Sequence, residues 1–349
     1  MEYDIKYMQR CLQLAEYGVS YVAPNPMVGA VLVVDGRIIG EGYHQRYGEP
    51  HAEPNAINSV NEVELLKNAT LYVSLEPCSH YGKTPPCADL IVRSKIPRVV
   101  IGTLDPNPKV AGKGVEILRN AGIEVTVGVM VNECRALNKR FFIFQEKARP
   151  YVLLKWAQTK NGFIDCIRTG ASPLPLIISN NFTKQLTHKM RAENQAILVA
   201  TNTVLMDNPS LTVRNWSGKS PIRVALDKTR RIPPNSHLLD GSIATIIFTE
   251  IESESSHHLE YVRIDFDENV LQTILDKLFE RNIHSVMVEG GAKLLNSFIK
   301  SGLWDEANVE VSCKSISEGV TAPKLPIHPN SCNAFDGHEW LNYTNYNVQ

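Results

Sequence analysis

The stretch TLYVSLEPC, residues 70–78, is a run of six strand-type residues followed by a glutamate, a proline and a cysteine. Its β-branched and aromatic residues predict a strand that carries Cys78 at its end. Two short motifs flank this strand in the sequence, HAE at residues 51–53 and PPC at residues 85–87. Because a proline pair is typical of the entry to a helix, a strand end and a helix start are expected to converge on one metal ion.

The residue types in these motifs are those of a catalytic zinc site. One imidazole and two thiolates, from His51, Cys78 and Cys87, leave the fourth tetrahedral position of zinc for a water molecule. Zinc lowers the pKa of such a water, so that a nucleophile is available near neutral pH. Glu53 is expected to point roughly away from the histidine, and so to move protons instead of binding metal. The pattern H-x-E…P-C-x-x-C is typical of zinc deaminases, although here eight residues, 79–86, separate the cysteines.

Each of these residues also has an ordinary structural explanation. His51 could cap a helix, the cysteines could be small buried residues, and Glu53 could be a first-turn acid favoured by the helix dipole. A structural zinc site without turnover would need a fourth protein ligand, for which no nearby cysteine or histidine is compelling. A further alternative is a zinc deaminase of another nucleoside or of a tRNA base, with the second half of the chain a non-catalytic binding module.

Composition indicates a globular protein of two domains. The chain has 349 residues, a formal net charge of −1 and 43% apolar residues. The balanced charge argues against nucleic acid as a partner. No apolar run is long enough to span a bilayer, and the first residues lack the features of a signal peptide, so we expect no membrane association and a cytoplasmic location. Seven cysteines, an odd and sparse count, do not indicate a disulfide framework.

Strands and helices are expected to alternate through the first half of the chain. Residues 30–34 and 37–43 are predicted to be two strands, joined by an Asp-Gly pair that favours a tight hairpin. Asp4 is expected to cap a helix that runs to about residue 18. The other expected elements are strands at 70–75, 98–102 and 123–127 and helices at 87–94 and 112–121. This alternation predicts an α/β fold with a sheet flanked by helices.

Four groups of motifs in the first half resemble the bifunctional deaminase/reductase family of riboflavin biosynthesis. They are PNPMVG (24–29), GYH with Gly48 and HAE (42–53), LEPCSHYGKTPPC (75–87) and DPNP (105–108). The eight-residue spacing is that family's variant of the cytidine deaminase signature. The resemblance implies a cytidine-deaminase-like three-layer domain over residues 1–148. Its substrate would be 2,5-diamino-6-ribosylamino-4(3H)-pyrimidinone 5′-phosphate, which loses the amine at ring position 2 by hydrolysis.

The resemblance also implies which residues act in this domain. One zinc ion per chain would be held by His51, Cys78 and Cys87, with Glu53 as the proton carrier. The implied substrate contacts are Asn25, His44, His80 and Lys83. An amide and two imidazoles can read the edge of a pyrimidine, and a lysine is a suitable point charge for phosphate.

A second α/β domain is expected over residues 149–349. Ser179 is expected to cap a helix that ends near residue 192. The other expected elements are strands at 151–154, 196–200, 222–226, 244–248 and 285–288 and helices at 269–281 and 292–301. No G-x-G-x-x-G follows a predicted strand, so a standard dinucleotide-binding fold is not supported. The Glu-Gly-Gly turn at 289–291 would let backbone N–H groups approach a phosphate at a helix start.

Several motifs of this half look like the family's reductase domain, which is related to dihydrofolate reductase. They are LK (154–155), RA (191–192), NTV (202–204), DNPSLTVR (207–214) and VEGG (288–291). The resemblance implies that NADPH reduces the ribose of the deaminated product to a ribityl chain. The residues implied to face NADPH are Ala157, Thr203, Asp207, Gly291, Ala292 and Lys293. The residues implied to face the substrate are Arg191, Leu211, Arg214 and Glu289.

The resemblance further implies a homo-oligomer, a dimer or a tetramer. The expected partner is a small-molecule pyrimidine ribosyl phosphate, and neither nucleic acid nor a membrane.

The second half departs from the family pattern at two places. QTKNG (158–162) stands where the family usually has ASLDG, so that Asn161 replaces a carboxylate, and Ile177 stands where the family has a tryptophan. Loss of a carboxylate and of an aromatic platform could weaken cofactor binding or be tolerated.

Overall fold

The structure, a computed structural model, describes residues 2–79, 85–107, 110–168 and 174–346. The chain divides into two compact units, Met1–Ala148 and Arg149–Gln349. Both units are α/β, as the alternation of elements predicted. Among the described residues, no helix has the length and apolar character needed to cross a membrane.

The first unit is built on a five-stranded sheet in the order β2-β1-β3-β4-β5. Its strands are β1 (Gly29–Val34), β2 (Arg37–Tyr43), β3 (Thr70–Leu75), β4 (Arg98–Thr103) and β5 (Glu124–Val127). Its helices are α1 (Glu2–Glu16), α2 (Ala52–Asn58), α3 (Cys87–Arg93), α4 (Lys113–Asn120), α5 (Val131–Leu137) and α6 (Lys139–Lys147), with a 3₁₀ helix at Val63–Asn68. β1 is antiparallel to β2 and β3, whereas β3, β4 and β5 are parallel.

Alternation along the strands of the first unit creates two cores. In β1, Ala30 and Leu32 face a core that also contains buried residues of α2, α3 and α4. Val31 and Val33 point to the opposite face and pack in a core with residues of α1 and α5. Helices therefore cover both faces of the sheet, and the prediction of a three-layer domain is confirmed.

Two local details of this unit bear on the sequence predictions. The predicted hairpin is confirmed, since Asp35 and Gly36 at its turn have φ of 49° and 75°, the positive values that a two-residue type I′ turn requires. The prediction that Asp4 caps a helix is wrong, because α1 begins at Glu2. Asp4 instead accepts hydrogen bonds from the Tyr72 hydroxyl at 2.9 Å and from Arg98 at 3.1 Å.

A close approach of two backbones fixes the helix that carries the HAE motif. A Cβ added at Gly42 in β2 would lie 2.3 Å from the backbone nitrogen of Ala56 in α2. Only glycine leaves room for this contact, so the strand and the helix pack with their main chains nearly touching. The start of α2 is thereby held against the sheet.

The second unit is built on a nine-stranded sheet in the order β11-β10-β9-β8-β12-β6-β13-β16-β15, with a separate pair β14-β7. Its strands are β6 (Tyr151–Gln158), β7 (Phe163–Asp165), β8 (Ala196–Ala200), β9 (Ile222–Leu226), β10 (Thr245–Thr249), β11 (Leu259–Arg263), β12 (Ser285–Val288), β13 (Glu306–Val311), β14 (Val320–Thr321), β15 (Ser331–Phe335) and β16 (His338–Thr344). Its helices are α7 (Asn181–Ala192), α8 (Thr201–Asp207), α9 (Val270–Glu280) and α10 (Ala292–Ser301), with a 3₁₀ helix at His237–Leu239.

The long sheet is parallel from β11 to β13, and only β16 and β15 run antiparallel to their neighbours. Alternate residues of β8 again face two cores: Ala196 and Leu198 pack on one side, Ile197 and Val199 on the other. Burial on both faces explains why these strands read as continuous apolar runs in the sequence.

The prediction that Ser179 caps α7 is wrong by one residue. Asn180 is the cap, and its side chain and that of Thr183 exchange hydrogen bonds with each other's backbone N–H. Ser179 lies before the helix, and its hydroxyl donates a hydrogen bond to Glu310 in β13.

Candidate active sites

The three predicted zinc ligands converge in the first unit. His51 immediately precedes α2, Cys78 follows the end of β3, and Cys87 is the first residue of α3. Their ligand atoms all lie within 4.8 Å of one another. The Nδ1 atom of His51 is 3.6 Å from the sulfur of Cys78 and 3.4 Å from that of Cys87. Across the described ranges, this is the one group of three or more such side chains close enough to share a metal ion.

The chemistry of this donor set suits zinc. Two sulfurs and one imidazole nitrogen are the ligands of a tetrahedral site with one open position. The Cys87 backbone N–H donates to the sulfur of Cys78 at 3.3 Å. The neighbouring Cys87 thiol and the His51 imidazole lower the pKa of Cys78, against the opposing effect of burial. A thiolate is the form that binds metal, so this environment prepares the ligand.

Glu53 lies in the first turn of α2 and lines the same cavity as His51 and Cys78, a space of about 210 Å³. Its side chain is buried, and burial raises the pKa of its carboxyl group to about 7. Its carboxylate does not belong to the group of three convergent ligand atoms. The geometry leaves Glu53 facing the cavity, where a carboxyl group can exchange protons with a bound molecule.

Asn25 and His44 line this cavity as well. His44 Nδ1 is 3.0 Å from the carbonyl oxygen of Pro50, which only accepts hydrogen bonds, so this nitrogen carries the proton. His44 Nε2 therefore accepts from the Asn25 amide nitrogen at 3.1 Å. Burial lowers the pKa of His44, which favours this neutral form. The amide oxygen of Asn25 is the atom left to accept from a ligand.

Other residues without a predicted role also line this cavity. Asp105 and Asn107 belong to the DPNP motif, and Phe141 and Gln145 come from α6. Glu76 also lines the cavity, and the LEPC motif was the signal for it. Two of the predicted substrate contacts, His80 and Lys83, lie outside the described residues.

A larger cavity of about 760 Å³ lies in the second unit. All the residues implied to face NADPH line it, and so does one of the residues implied to face the substrate: Ala157, Thr203, Asp207, Glu289, Gly291, Ala292 and Lys293. The backbone N–H of Gly291 donates to the Thr203 hydroxyl at 3.1 Å, which ties the start of α10 to α8. Basic side chains of Lys184, Lys228 and Arg231 also line the cavity. A helix start and several cations suit the phosphates of a dinucleotide.

The other three residues implied to face the substrate, Arg191, Leu211 and Arg214, are not among the residues that line this cavity. Arg191 donates to the Glu289 carboxylate at 2.5 Å and to the backbone oxygen of Thr212 at 3.1 Å. Leu211 is buried with a φ of 53°. The Arg214 backbone N–H donates to His188 Nδ1 at 3.0 Å. Leu211 and Arg214 are thus connected to Arg191 through the 211–214 loop and do not line the cavity.

The two departures from the family pattern differ in environment. Asn161 accepts from the Thr159 hydroxyl and exchanges hydrogen bonds with the backbone of Ile316. An aspartate could not donate to the Ile316 carbonyl, so asparagine fastens this turn to the loop after β13. Ile177 lines the cavity with 64% of its surface exposed. Lys155, the second residue of the LK motif, also lines the cavity, and burial lowers its pKa.

Comparison with known proteins gives matches over both units. The cytidine and deoxycytidylate deaminase zinc-binding region matches residues 1–103, and the RibD C-terminal domain matches residues 150–318. Riboflavin biosynthesis protein RibD of Aquifex aeolicus is 45% identical over 334 residues, covering 93% of this chain and 91% of that protein. RibD of Escherichia coli is 38% identical over 331 residues, covering 89% and 88% of the two chains.

Solved structures match at the level of the whole chain. A crystal structure from Thermotoga maritima, described as a diaminohydroxyphosphoribosylaminopyrimidine deaminase/5-amino-6-(5-phosphoribosylamino)uracil reductase, has a TM-score of 0.88 and 39% identity. The match covers 98% of this chain and 99% of that one. RibD of Acinetobacter baumannii matches with a TM-score of 0.88 at 31% identity, covering 98% and 99% of the two chains.

Proposed function

Because the chain belongs to the RibD family of riboflavin biosynthesis proteins, we propose that each of its two units carries one of the family's two activities. It is a bifunctional enzyme, a deaminase and a reductase, and its cofactors are zinc and NADPH. The observation that carries the deaminase assignment is the convergence of His51, Cys78 and Cys87 beside the buried carboxyl group of Glu53.

The first domain, residues 1–148, hydrolyses the amine at ring position 2 of 2,5-diamino-6-ribosylamino-4(3H)-pyrimidinone 5′-phosphate. His51, Cys78 and Cys87 would hold the zinc ion, which when bound would activate a water molecule. Glu53 takes a proton from the attacking water and gives it to the leaving amine. A C–O bond forms at the ring carbon and the C–N bond breaks, so that ammonia leaves.

Substrate recognition in this domain is assigned to the neutral Asn25–His44 pair. The Asn25 amide nitrogen is engaged by His44, and this supports a role for its oxygen in accepting from an N–H group of the pyrimidine. His80 and Lys83 are proposed, on the family resemblance, to contact the substrate, with Lys83 near its phosphate.

The second domain, residues 149–349, uses NADPH to reduce the ribose of the deaminated product to a ribityl chain. We assign cofactor binding to Ala157, Thr203, Asp207, Gly291, Ala292 and Lys293, which share one cavity. We assign substrate binding to Arg191, Leu211, Arg214 and Glu289. Arg191 holds Glu289 at the cavity wall through an ion pair of largely buried groups, and this supports a shared role in orienting the sugar.

The proposal also covers the location, the partner and the assembly of the protein. We propose that the protein acts in the cytoplasm on a small molecule and not on nucleic acid, and that it assembles as a dimer or tetramer of identical chains. Sedimentation analysis that gave the mass of a single chain at micromolar concentration would contradict the assembly.

Glu53→Gln is the variant that tests the deaminase assignment. The amide keeps the shape of the side chain but cannot carry the proton, so ammonia release is expected to fall by about 10²- to 10⁴-fold. Zinc content, measured by atomic emission on the purified protein, should stay at the wild-type value. Glu16→Gln, an exposed site at the end of α1, is the matched control and should keep full activity. Unchanged ammonia release in Glu53→Gln would overturn the role of Glu53.

A further inference from the structure

Several polar side chains share one face of the large sheet beside the second cavity. In the parallel pairing of β6 with β13, Lys155 lies opposite Asn308 and Ala157 lies opposite Glu310. In the antiparallel pairing of β13 with β16, Glu310 lies opposite Trp340. Since residues two apart on a strand point to the same face, Glu310 lies on the same side of the sheet as Lys155 and Ala157, two residues of β6 that line the cavity.

Glu310 is fully buried and has a hydrogen-bond donor on each oxygen. The Ser179 hydroxyl donates to Oε2 at 2.6 Å, and His338 Nδ1 donates to Oε1 at 2.8 Å. Its exposed fraction is 0%, and that of His338 is 7%. A buried carboxylate is costly unless such donors satisfy it, so these two contacts hold Glu310 in a defined orientation.

The segment that carries Ser179 is anchored on both sides. The Lys314 ammonium group donates to the carbonyl oxygen of Ile177 at 2.6 Å. The Asn180 amide donates to the Asp336 carboxylate at 3.3 Å, at the turn of the β15–β16 hairpin. Ser179 itself lines the cavity. Its oxygen therefore has a fixed position in the wall.

These contacts decide what Ser179 can do toward a ligand. A serine hydroxyl has one hydrogen to donate and can accept with its oxygen. Because Glu310 takes the hydrogen, the Ser179 oxygen can only accept. We propose that Glu310, oriented by His338, is a positioning residue that presents Ser179 to the cavity as a hydrogen-bond acceptor for an N–H or O–H group of the bound ligand.

This inference rests on the proposed reductase function and specifies one of its contacts. The two ligands proposed for this cavity each offer such a donor: the nicotinamide has a carboxamide N–H, and the sugar has hydroxyl groups. An arrangement in which the serine hydrogen was free would accept either a donor or an acceptor. The Glu310 contact removes that choice, so the site discriminates in favour of a donor.

A double-variant cycle with Ser179→Ala and Glu310→Met tests the proposal. Ser179→Ala removes the acceptor, and Glu310→Met removes the carboxylate that takes the serine hydrogen. Dissociation constants for NADPH and, separately, for the deaminated pyrimidine ribosyl phosphate are measured by calorimetry. Ser179→Ala should weaken the binding of one of these ligands by about three- to tenfold, the effect of one lost hydrogen bond. Glu310→Met leaves the serine oxygen able to accept but no longer oriented, so it should weaken the binding of the same ligand by no more than Ser179→Ala does. The double variant should bind no more weakly than the weaker single variant.

The affected ligand identifies the donor. If NADPH binding changes, the donor is the carboxamide, and the difference between variant and wild type should vanish with the acetylpyridine analogue of NADPH, which lacks that N–H. If binding of the deaminated product changes, the donor is a sugar hydroxyl. Ammonia release by the first domain serves as an internal check, and Glu339→Gln, exposed on β16, is the matched control.

Three results would overturn the proposal or its premise. Both ligands binding to Ser179→Ala within twofold of wild type would contradict the inference alone. A double variant whose loss equals the product of the single losses would show that Glu310 does not act through Ser179. Wild-type protein that binds neither ligand would contradict the proposed reductase, and the inference with it.

Discussion

Burial shifts the pKa values of two side chains of this protein in opposite directions. It raises the pKa of Glu53 to about 7 and lowers the pKa of His284 to about 4. The common cause is that a low-dielectric interior disfavours the charged form, which is the deprotonated carboxyl group and the protonated imidazole. For Glu53, the raised pKa allows the carboxyl group to gain and lose a proton near neutral pH. For His284 it couples folding to pH.

The free energy of unfolding should fall as pH is lowered from about 7 toward 4, in part because of His284. An unfolded histidine titrates near pH 6.5, so between that value and 4 the unfolded state binds more protons than the folded one. The depressed pKa of His284 lowers the free energy of unfolding by about 3 kcal/mol once pH is below 4, and it has no effect on that free energy above pH 7. Urea unfolding across this range measures it.

The variant His284→Gln separates this contribution from others, because glutamine does not titrate. Its stability should depend less on pH between 6.5 and 4 than that of the wild type. His257→Gln, at an exposed position, should follow the wild-type curve. An identical pH dependence for His284→Gln and wild type would contradict the assignment.

Residues differ in how far the sequence predicts their surroundings. The trio His51, Cys78 and Cys87 was predictable because ligand chemistry restricts the residue types at those positions. Glu310 was not, since a glutamate in a strand normally reads as a surface residue, and its burial depends on donors from Ser179 and His338 far away in the sequence.

At the scale of elements, one carboxylate joins a strand end to a loop and a helix. Glu76 accepts from the backbone N–H groups of Asp105, Gly112, Gly114 and Val115, at distances of 2.9 to 3.3 Å. These donors belong to the DPNP segment and to the first turn of α4. Glu76 is buried and lies two residues before Cys78, so it connects the strand end that carries Cys78 with the loop that lines the cavity.

Glu76→Gln should destabilise the first unit by about 2–4 kcal/mol, because an amide NH₂ would face backbone donors that the carboxylate now satisfies. Chemical denaturation of the zinc-loaded protein measures the change. Glu116 is an exposed residue of α4, and the free energy of unfolding of Glu116→Gln should stay within about 0.5 kcal/mol of wild type. Equal stability of the two variants would show that Glu76 does not anchor this loop.

Elements with strong patterns were predicted, and polar ones were not. Most of the expected strands begin and end within one or two residues of the observed ones, but β6 runs to Gln158, beyond its expected end at residue 154. The strands β7, β11, β13 and β14 were not predicted from the sequence. Neither were β15 and β16, since β15 is a largely exposed edge strand without clear alternation. An Asp336-Gly337 turn with φ of 50° and 76° joins them, the same pair that marked the first hairpin. That dipeptide was the available signal.

At the scale of the whole molecule, each unit contains its own buried cores on both faces of its sheet. We therefore expect residues 1–148 and 149–349, expressed separately, to fold and to unfold cooperatively. The first fragment should release ammonia, and the second should bind NADPH. Circular dichroism and ligand titration check both statements, and a fragment that lacked cooperative unfolding would contradict the division.

The most direct test of the account is a two-step assay on purified, zinc-loaded, full-length protein with the diaminopyrimidinone ribosyl phosphate. Ammonia release is followed first, and NADPH oxidation is then followed by its absorbance. The account predicts ammonia followed by NADPH consumption on the same chain. Ammonia without NADPH consumption would contradict the reductase and point to the changes at Asn161 and Ile177, whereas no ammonia would contradict the assigned substrate.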